Sequence, residues 1–173
     1  RLAAHLGLAF AIFGLLFWYA VACLTSRPAR SGTGWVRIGS LGILWAAAIT
    51  IIWGAFVAGL DAGLAYNTFP LMGGRLVPEG LLINEPWWLN FFENTAAVQF
   101  THRVLAISTV VLVVIYWVSA QRSALSVPAH KAVTLLGILA LCQLGLGIAT
   151  LLTEVALPLA MLHQLGALAV ITS

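Results

Sequence analysis

Polar side chains able to do chemistry stand inside otherwise apolar sequence: Gln99, His102 and Arg103 in the run from Asn94 to Ala120, and His163 in the run that closes the chain. An imidazole or a guanidinium is costly to place in lipid, so each needs a partner facing the protein interior. One buried histidine is satisfied by a hydrogen bond to a neighbouring helix. Two histidines at one depth, on helices that start from the same membrane face, can instead hold a planar cofactor between them. Neutral imidazole is a standard axial ligand of haem iron. Zinc or copper would want further protein ligands, and the sequence has no Cys/His cluster to supply them.

The elements that must position these side chains are set by composition. Of 173 residues 62% are hydrophobic and 8% charged, with a mean hydropathy of +1.04. That is a membrane protein rather than a soluble core. The formal charge of +3 is small and dispersed, which argues against nucleic acid as a partner and leaves the lipid bilayer as the first one. Apolar runs extend over Leu2–Leu24, Trp35–Leu60, Asn94–Ala120, Ala132–Leu152 and Ala156–Ser173. Each approaches the ~20 residues a helix needs to cross a bilayer, and the helix satisfies its own backbone there. The expected fold is all-α, a polytopic membrane helix bundle of five transmembrane helices, the last truncated. The chain opens at Arg1 without a methionine and stops at Ser173 within an apolar run, so it reads as a fragment of a longer protein with no cleavable signal.

Charge sets the topology. Arg27, Arg30 and Arg37 flank one connection and Arg122 and Lys131 another, which places both on the cytoplasmic side. The segment Asp61 to Glu93 carries acids and a single arginine, and the short link near Glu154 has no basic residue, so these face outside. The first, third and fifth spans then run inward from the outer face. His102 lies about eight residues into its helix and His163 about seven, which at ~1.5 Å per residue puts both roughly 10 to 12 Å below the outer end. The outer segment is broken by Pro70, Gly73, Gly74, Pro78 and Pro86 and carries the interfacial aromatics Trp87, Trp88, Phe91 and Phe92. At most short interfacial helices are expected in it. Its length suits either plain interfacial packing or a lid.

Other residues are weighed the same way. His5 serves a second haem site if its partner lies upstream of Arg1, and otherwise sits at the interface. His130, beside Lys131, reads as solvated, and Cys23 and Cys142 as small apolar fillers too far apart along their spans to pair. Arg103 can reach a haem propionate with its fork of donors or snorkel to headgroups. Gln99, one turn before His102, can orient ligand or cofactor or bond across helices. Asp61 ends a helix whose dipole opposes it, so it is not a cap, and a place at the outer mouth of a site is open to it. Gly145 and Gly147 allow close approach, and Thr134 and Gln143 suit bonds between helices.

The segments Gly54-Ala55-Phe56-Val57-Ala58-Gly59-Leu60-Asp61-Ala62-Gly63 and Asn67-Thr68-Phe69-Pro70-Leu71-Met72, with Gln99-Phe100-Thr101-His102-Arg103, Gly145-Leu146-Gly147-Ile148-Ala149-Thr150 and Leu162-His163-Gln164, resemble the signature of the haem A synthase family over essentially the whole chain. That resemblance implies an eight-helix protein of two four-helix halves. Residues 1–34 would be the last helix of the N-terminal half with its cytoplasmic link, and residues 35–173 a C-terminal half that binds haem B, with an outer loop at 61–93. It implies His102 and His163 as ligands of haem B iron, with Gln99 and Arg103 beside the cofactor. His5 would be one of two histidines at the N-terminal site, where haem O is the substrate and its ring methyl is oxidised to the formyl group of haem A for cytochrome oxidase. The family's catalytic glutamate belongs upstream of Arg1, so this fragment would contain no catalytic residue and be inactive alone. Haem O synthase and cytochrome oxidase assembly factors are candidate partners, with room for a homo-oligomer. The bacterial plasma membrane is the expected location, with the mitochondrial inner membrane as alternative.

Two other classes compete. A diheme cytochrome b-type electron carrier shares the histidines and would not turn over haem O. A transporter with a histidine proton relay would need access from both sides, whereas His5, His102 and His163 all fall in the outer half and nothing ionisable marks an inner path.

Overall fold

The computed structural model describes residues 2–24 and 34–173. The described residues form α1 (Leu2–Leu24), α2 (Gly34–Gly59), the short α3 (Asn90–Glu93), α4 (Thr95–Gln121), α5 (Val127–Leu152) and α6 (Leu157–Thr172), with single 3-10 turns at Ala62–Leu64 and Trp87–Leu89. No strand occurs among them, only an isolated bridge between Met72 and Arg75. The chain is thus an all-helical membrane bundle. α1, α2, α4 and α5 are each long and apolar enough to span, while α6 is a shorter apolar helix. The arginines at 27 and 30 that support the cytoplasmic assignment lie outside the described residues.

Around the bundle α2 packs on α4, α4 on α5, α5 on α6, and α6 back on α2, with α1 laid against α2 and α6. α4 and α6, which carry His102 and His163, therefore face one another across the interior rather than side by side. Ridges of apolar side chains on all faces of each helix suit lipid outside and neighbours inside, so the helices need no single apolar stripe.

Local sequence explains where the helices start. Asn94, rather than opening α4, caps it: its side-chain oxygen accepts from the backbone N–H of Ala96 at 2.9 Å and Ala97 at 3.2 Å. α5 begins at Val127, upstream of the expected Ala132, and takes in His130 and Lys131. Pro128 is the reason, because proline in the first turn forfeits no helical hydrogen bond and presets the backbone angle. His130 is accordingly half-buried on the helix instead of lying in a solvated link. Pro158 does the same service for α6.

α2, α4 and α5 also pack on one another through a small core of Ile43, Val113, Tyr116, Ala120, Val133 and Ala140. There the Tyr116 ring lies over Gly39, where a β-carbon would come within 2.7 Å of it. The Tyr116 hydroxyl donates to the Val36 carbonyl at 3.2 Å. Trp117 and Gln121 both donate to the Thr134 hydroxyl, at 3.3 and 3.0 Å, tying α4 to α5. Val113 and Ala140 of this core also line the cavity between the helices, which therefore reaches past the middle of α4.

Candidate haem site

A cavity of about 410 Å³ between the helices is lined by both His102 and His163 and extends along α4 from Gln99 to Val113. Its size is that of a small-molecule site, and its walls are mainly apolar side chains with a few polar groups. Leu6 and Phe10 of α1 contribute to the wall, but His5, between Ala4 and Leu6 on the same helix, does not. His5 is exposed on α1. The structure therefore brings His102 and His163 to one site and leaves His5 apart from them.

Each histidine has the same kind of seat. His102 lies over Gly54 of α2, where a β-carbon would be 3.1 Å from its Cε1. His163 lies over Gly147 of α5, where a β-carbon would be 2.9 Å from its Cε1. Only glycine lets a ring lie this close to a neighbouring backbone. Thr50, one turn before Gly54, supplies the carbonyl that takes the His102 Nδ1 proton at 3.2 Å. With Nδ1 so engaged, Nε2 is the nitrogen left to bind a metal. Gln143, one turn before Gly147, bonds its side-chain amide to the His163 carbonyl at 2.8 Å, and His163 Nδ1 is buried without a hydrogen bond.

Arg103 and Gln99 also line the cavity, yet their donors are directed to the outer segment. The guanidinium donates to the carbonyls of Thr68 and Tyr66, each at 2.8 Å, and the Gln99 amide donates to Tyr66 at 3.0 Å. Arg103 is thus held by the outer segment. Arg103 Nε and Gln99 Oε1 remain buried and unpartnered beside the cavity. Asn67 completes the anchorage, donating to Gly63 and Leu151 carbonyls at 2.9 Å each. Residues 66–68 consequently form a strap tied at the outer mouth to α4 and α5, and Phe69 and Asp61 line the cavity beside it. Asp61 itself adopts a left-handed backbone, φ 51°, at the turn that ends α2.

Thr50, Gly54, Asn67 and the strap carbonyls did not announce themselves in the sequence as site residues. Thr50 and Gly54 share a helix face one turn apart, and that spacing repeats at Gln143 and Gly147, a signal that the pattern carries once the two histidines are known.

The donor set fits a planar iron cofactor. Two imidazoles on facing helices, one with its Nδ1 proton held by a backbone carbonyl, an apolar lining and two glycine seats suit axial ligation. Among the described residues no group of three His, Cys, Asp or Glu side chains comes together to hold a bare metal ion.

An all-helical membrane bundle with facing histidines on α4 and α6 defines a class of helical, two-histidine membrane proteins. Residues 1–173 match the COX15-CtaA family of cytochrome oxidase assembly proteins from end to end, and the chain belongs to that haem A synthase family. It is 46% identical over 176 residues to the heme A synthase of Nitrosospira multiformis, covering 100% of this chain and 49% of that protein. It is 46% identical over 169 residues to that of Rhodospirillum centenum, covering 97% and 45%. Identity to the heme A synthase COX15 of Arabidopsis thaliana is 42% over 180 residues, covering 99% and 39%. The chain spans about half the length of the bacterial relatives, or less.

Proposed function

We infer that this chain is the haem B-binding half of a haem A synthase, with His102 and His163 as the axial ligands and the whole protein converting the methyl group of haem O into the formyl group of haem A. The observation that supports this most is the pair of histidines across one apolar cavity, each seated on a glycine. When bound, haem B supplies a one-electron acceptor for electrons leaving the oxidised substrate. The residues present do the rest. Thr50 holds the His102 proton on Nδ1, so the ring presents Nε2 inward. Arg103 and Gln99 pin the strap, which limits water at the outer mouth, and Arg103 Nε is the donor left to meet a propionate.

His5 is exposed on α1, and in this reading it would serve a second haem site shared with the N-terminal half, where the catalytic glutamate would lie. The fragment would then contribute one wall of the substrate site and no turnover of its own. The plasma membrane of a bacterium is the proposed location.

The test is turnover by the full-length protein in detergent or lipid, with haem O supplied and haem A measured by chromatography. Formation of haem A, lost on His5→Ala, supports the synthase. Stable haem with reversible redox cycling but no haem A would make the protein a diheme cytochrome b instead.

A further inference from the structure

The bundle repeats one device twice. α2 and α5 each carry a glycine that meets the imidazole of the following inward-running helix, Gly54 under His102 and Gly147 under His163. In both, the residue one turn earlier, Thr50 or Gln143, bonds to that histidine. Both helices end five residues beyond the glycine, and two residues further on each has an acid in the left-handed region, Asp61 at φ 51° and Glu154 at φ 53°. Such positive φ is uncommon for a residue with a β-carbon, and it recurs at matching positions, although the turns then diverge: Val155 is left-handed too, at φ 61°, whereas Asp61 leads into a 3-10 turn. Gly145, on α5 two residues before Gly147, has nothing within 4 Å of where its β-carbon would stand. The contact therefore belongs to particular glycines and not to helix composition.

We propose that Gly54 and Gly147 are positioning residues that set the rotation of the two imidazole planes, and hence their mutual angle across the cofactor. The inference rests on the haem reading and adds to it. At Gly147 a methyl group, 2.9 Å from Cε1, would push the ring away, and at Gly54, at 3.1 Å, it would make the ring give by a few tenths of an ångström. The relative rotation of two axial imidazoles splits the d orbitals of low-spin ferric iron and so fixes its electron paramagnetic resonance g values. Displacing one ring should move those g values and loosen the ligand.

The experiment compares full-length protein with Gly147→Ala, Gly54→Ala and Gly145→Ala, each purified with its haem. The readouts are the low-spin ferric g values, the midpoint potential and haem retained after challenge with apomyoglobin. Gly147→Ala should shift the largest g value of one low-spin centre and weaken haem retention about tenfold, the lower end of what partners behind a metal ligand contribute. Gly54→Ala should do the same more weakly, since its spacing is wider, and it carries the test if Gly147→Ala does not accumulate. Gly145→Ala should match the unaltered protein. Unshifted g values and retention in both seat variants would overturn the proposal, as would an equal shift in Gly145→Ala. Failure of the haem reading looks different: the unaltered protein would then lack the two-imidazole signal that the variants are meant to move.

Discussion

Residues 60–94 separate α2 from α4, whereas residues 153–156 separate α5 from α6. Both hairpins nonetheless bring a histidine onto a glycine of the preceding helix. A long folded connection and a tight turn reach the same geometry, so helix packing sets the site and the connection adds something else. In the first hairpin the addition is the strap, held by Arg103, Gln99 and Asn67. The second has Gln164 where the first has Arg103, and no comparable loop for it to hold. The two ends meet at the outer mouth. Val155 of the tight turn packs so closely on Gly63 that a β-carbon there would come within 2.8 Å, and Asn67 reaches across to the Leu151 carbonyl.

The polar connections differ too. The first hairpin is cross-linked by Thr50, whose hydroxyl meets that of Thr109 at 2.9 Å and whose carbonyl holds His102. In the second, Gln143 holds the His163 backbone with its side chain, and its own backbone approaches the His163 ring, whose Nδ1 closes no hydrogen bond. A histidine whose Nδ1 proton is held by a carbonyl is the more basic and better oriented ligand. On the proposed ligation His102 would be the firmer of the pair and His163 the one more readily displaced.

Removing either ligand should have the largest effect. In the full-length protein, His102→Ala or His163→Ala should abolish one low-spin haem signal while the protein still accumulates in the membrane. Exogenous imidazole should enter more readily on the His163 side, seen as faster recovery of a low-spin spectrum in His163→Gly than in His102→Gly. Equal recovery would erase the proposed difference between the hairpins.

Next comes the strap. Arg103→Ala removes charge-assisted bonds to two carbonyls, each contributing on the order of 1.5–3 kcal/mol. Backbone amides of residues 66–68 should then exchange with solvent at least about tenfold faster, a loss of ~1.4 kcal/mol or more of local protection, with weaker haem retention. Unchanged exchange would mean that the strap is held by its own packing. Asn67→Ala removes neutral bonds and should cost roughly 1–2 kcal/mol in thermal unfolding, less than Arg103→Ala in strap exchange. The smallest change is Thr50→Val. It breaks the contact with Thr109, for which about 0.6 kcal/mol is typical between membrane helices, and leaves the carbonyl that holds His102. The haem spectrum should stay as it was. A shifted spectrum would show that the hydroxyl, not the carbonyl, governs the ring.

Much of this architecture was legible in the sequence because lipid imposes strong constraints. Apolar runs between charged links gave the helices, and histidines inside such runs stood out by their cost. The boundaries of α2 and α4 fell within a residue of those expected, and Pro128 moved that of α5, since a first-turn proline extends a helix that charge alone would have ended. The broken outer segment was also readable, whereas Asn94, counted within the helix, caps it. The function of Arg103 was not, because its partners are backbone carbonyls of residues 66 and 68, and a carbonyl has no side-chain signature. The same holds for the Thr50 carbonyl behind His102. Gly54 and Gly147 were visible as small residues, but which ring each would meet depends on the crossing of helices far apart in sequence.

The most direct measurement is a reduced-minus-oxidised spectrum with pyridine haemochrome quantitation on the full-length protein, alongside its His102→Ala/His163→Ala double variant. One low-spin haem B fewer per chain in the variant, with His5 intact and the protein still membrane-inserted, is the expected result. Identical haem B content in the two proteins would contradict the assignment of His102 and His163 as its ligands.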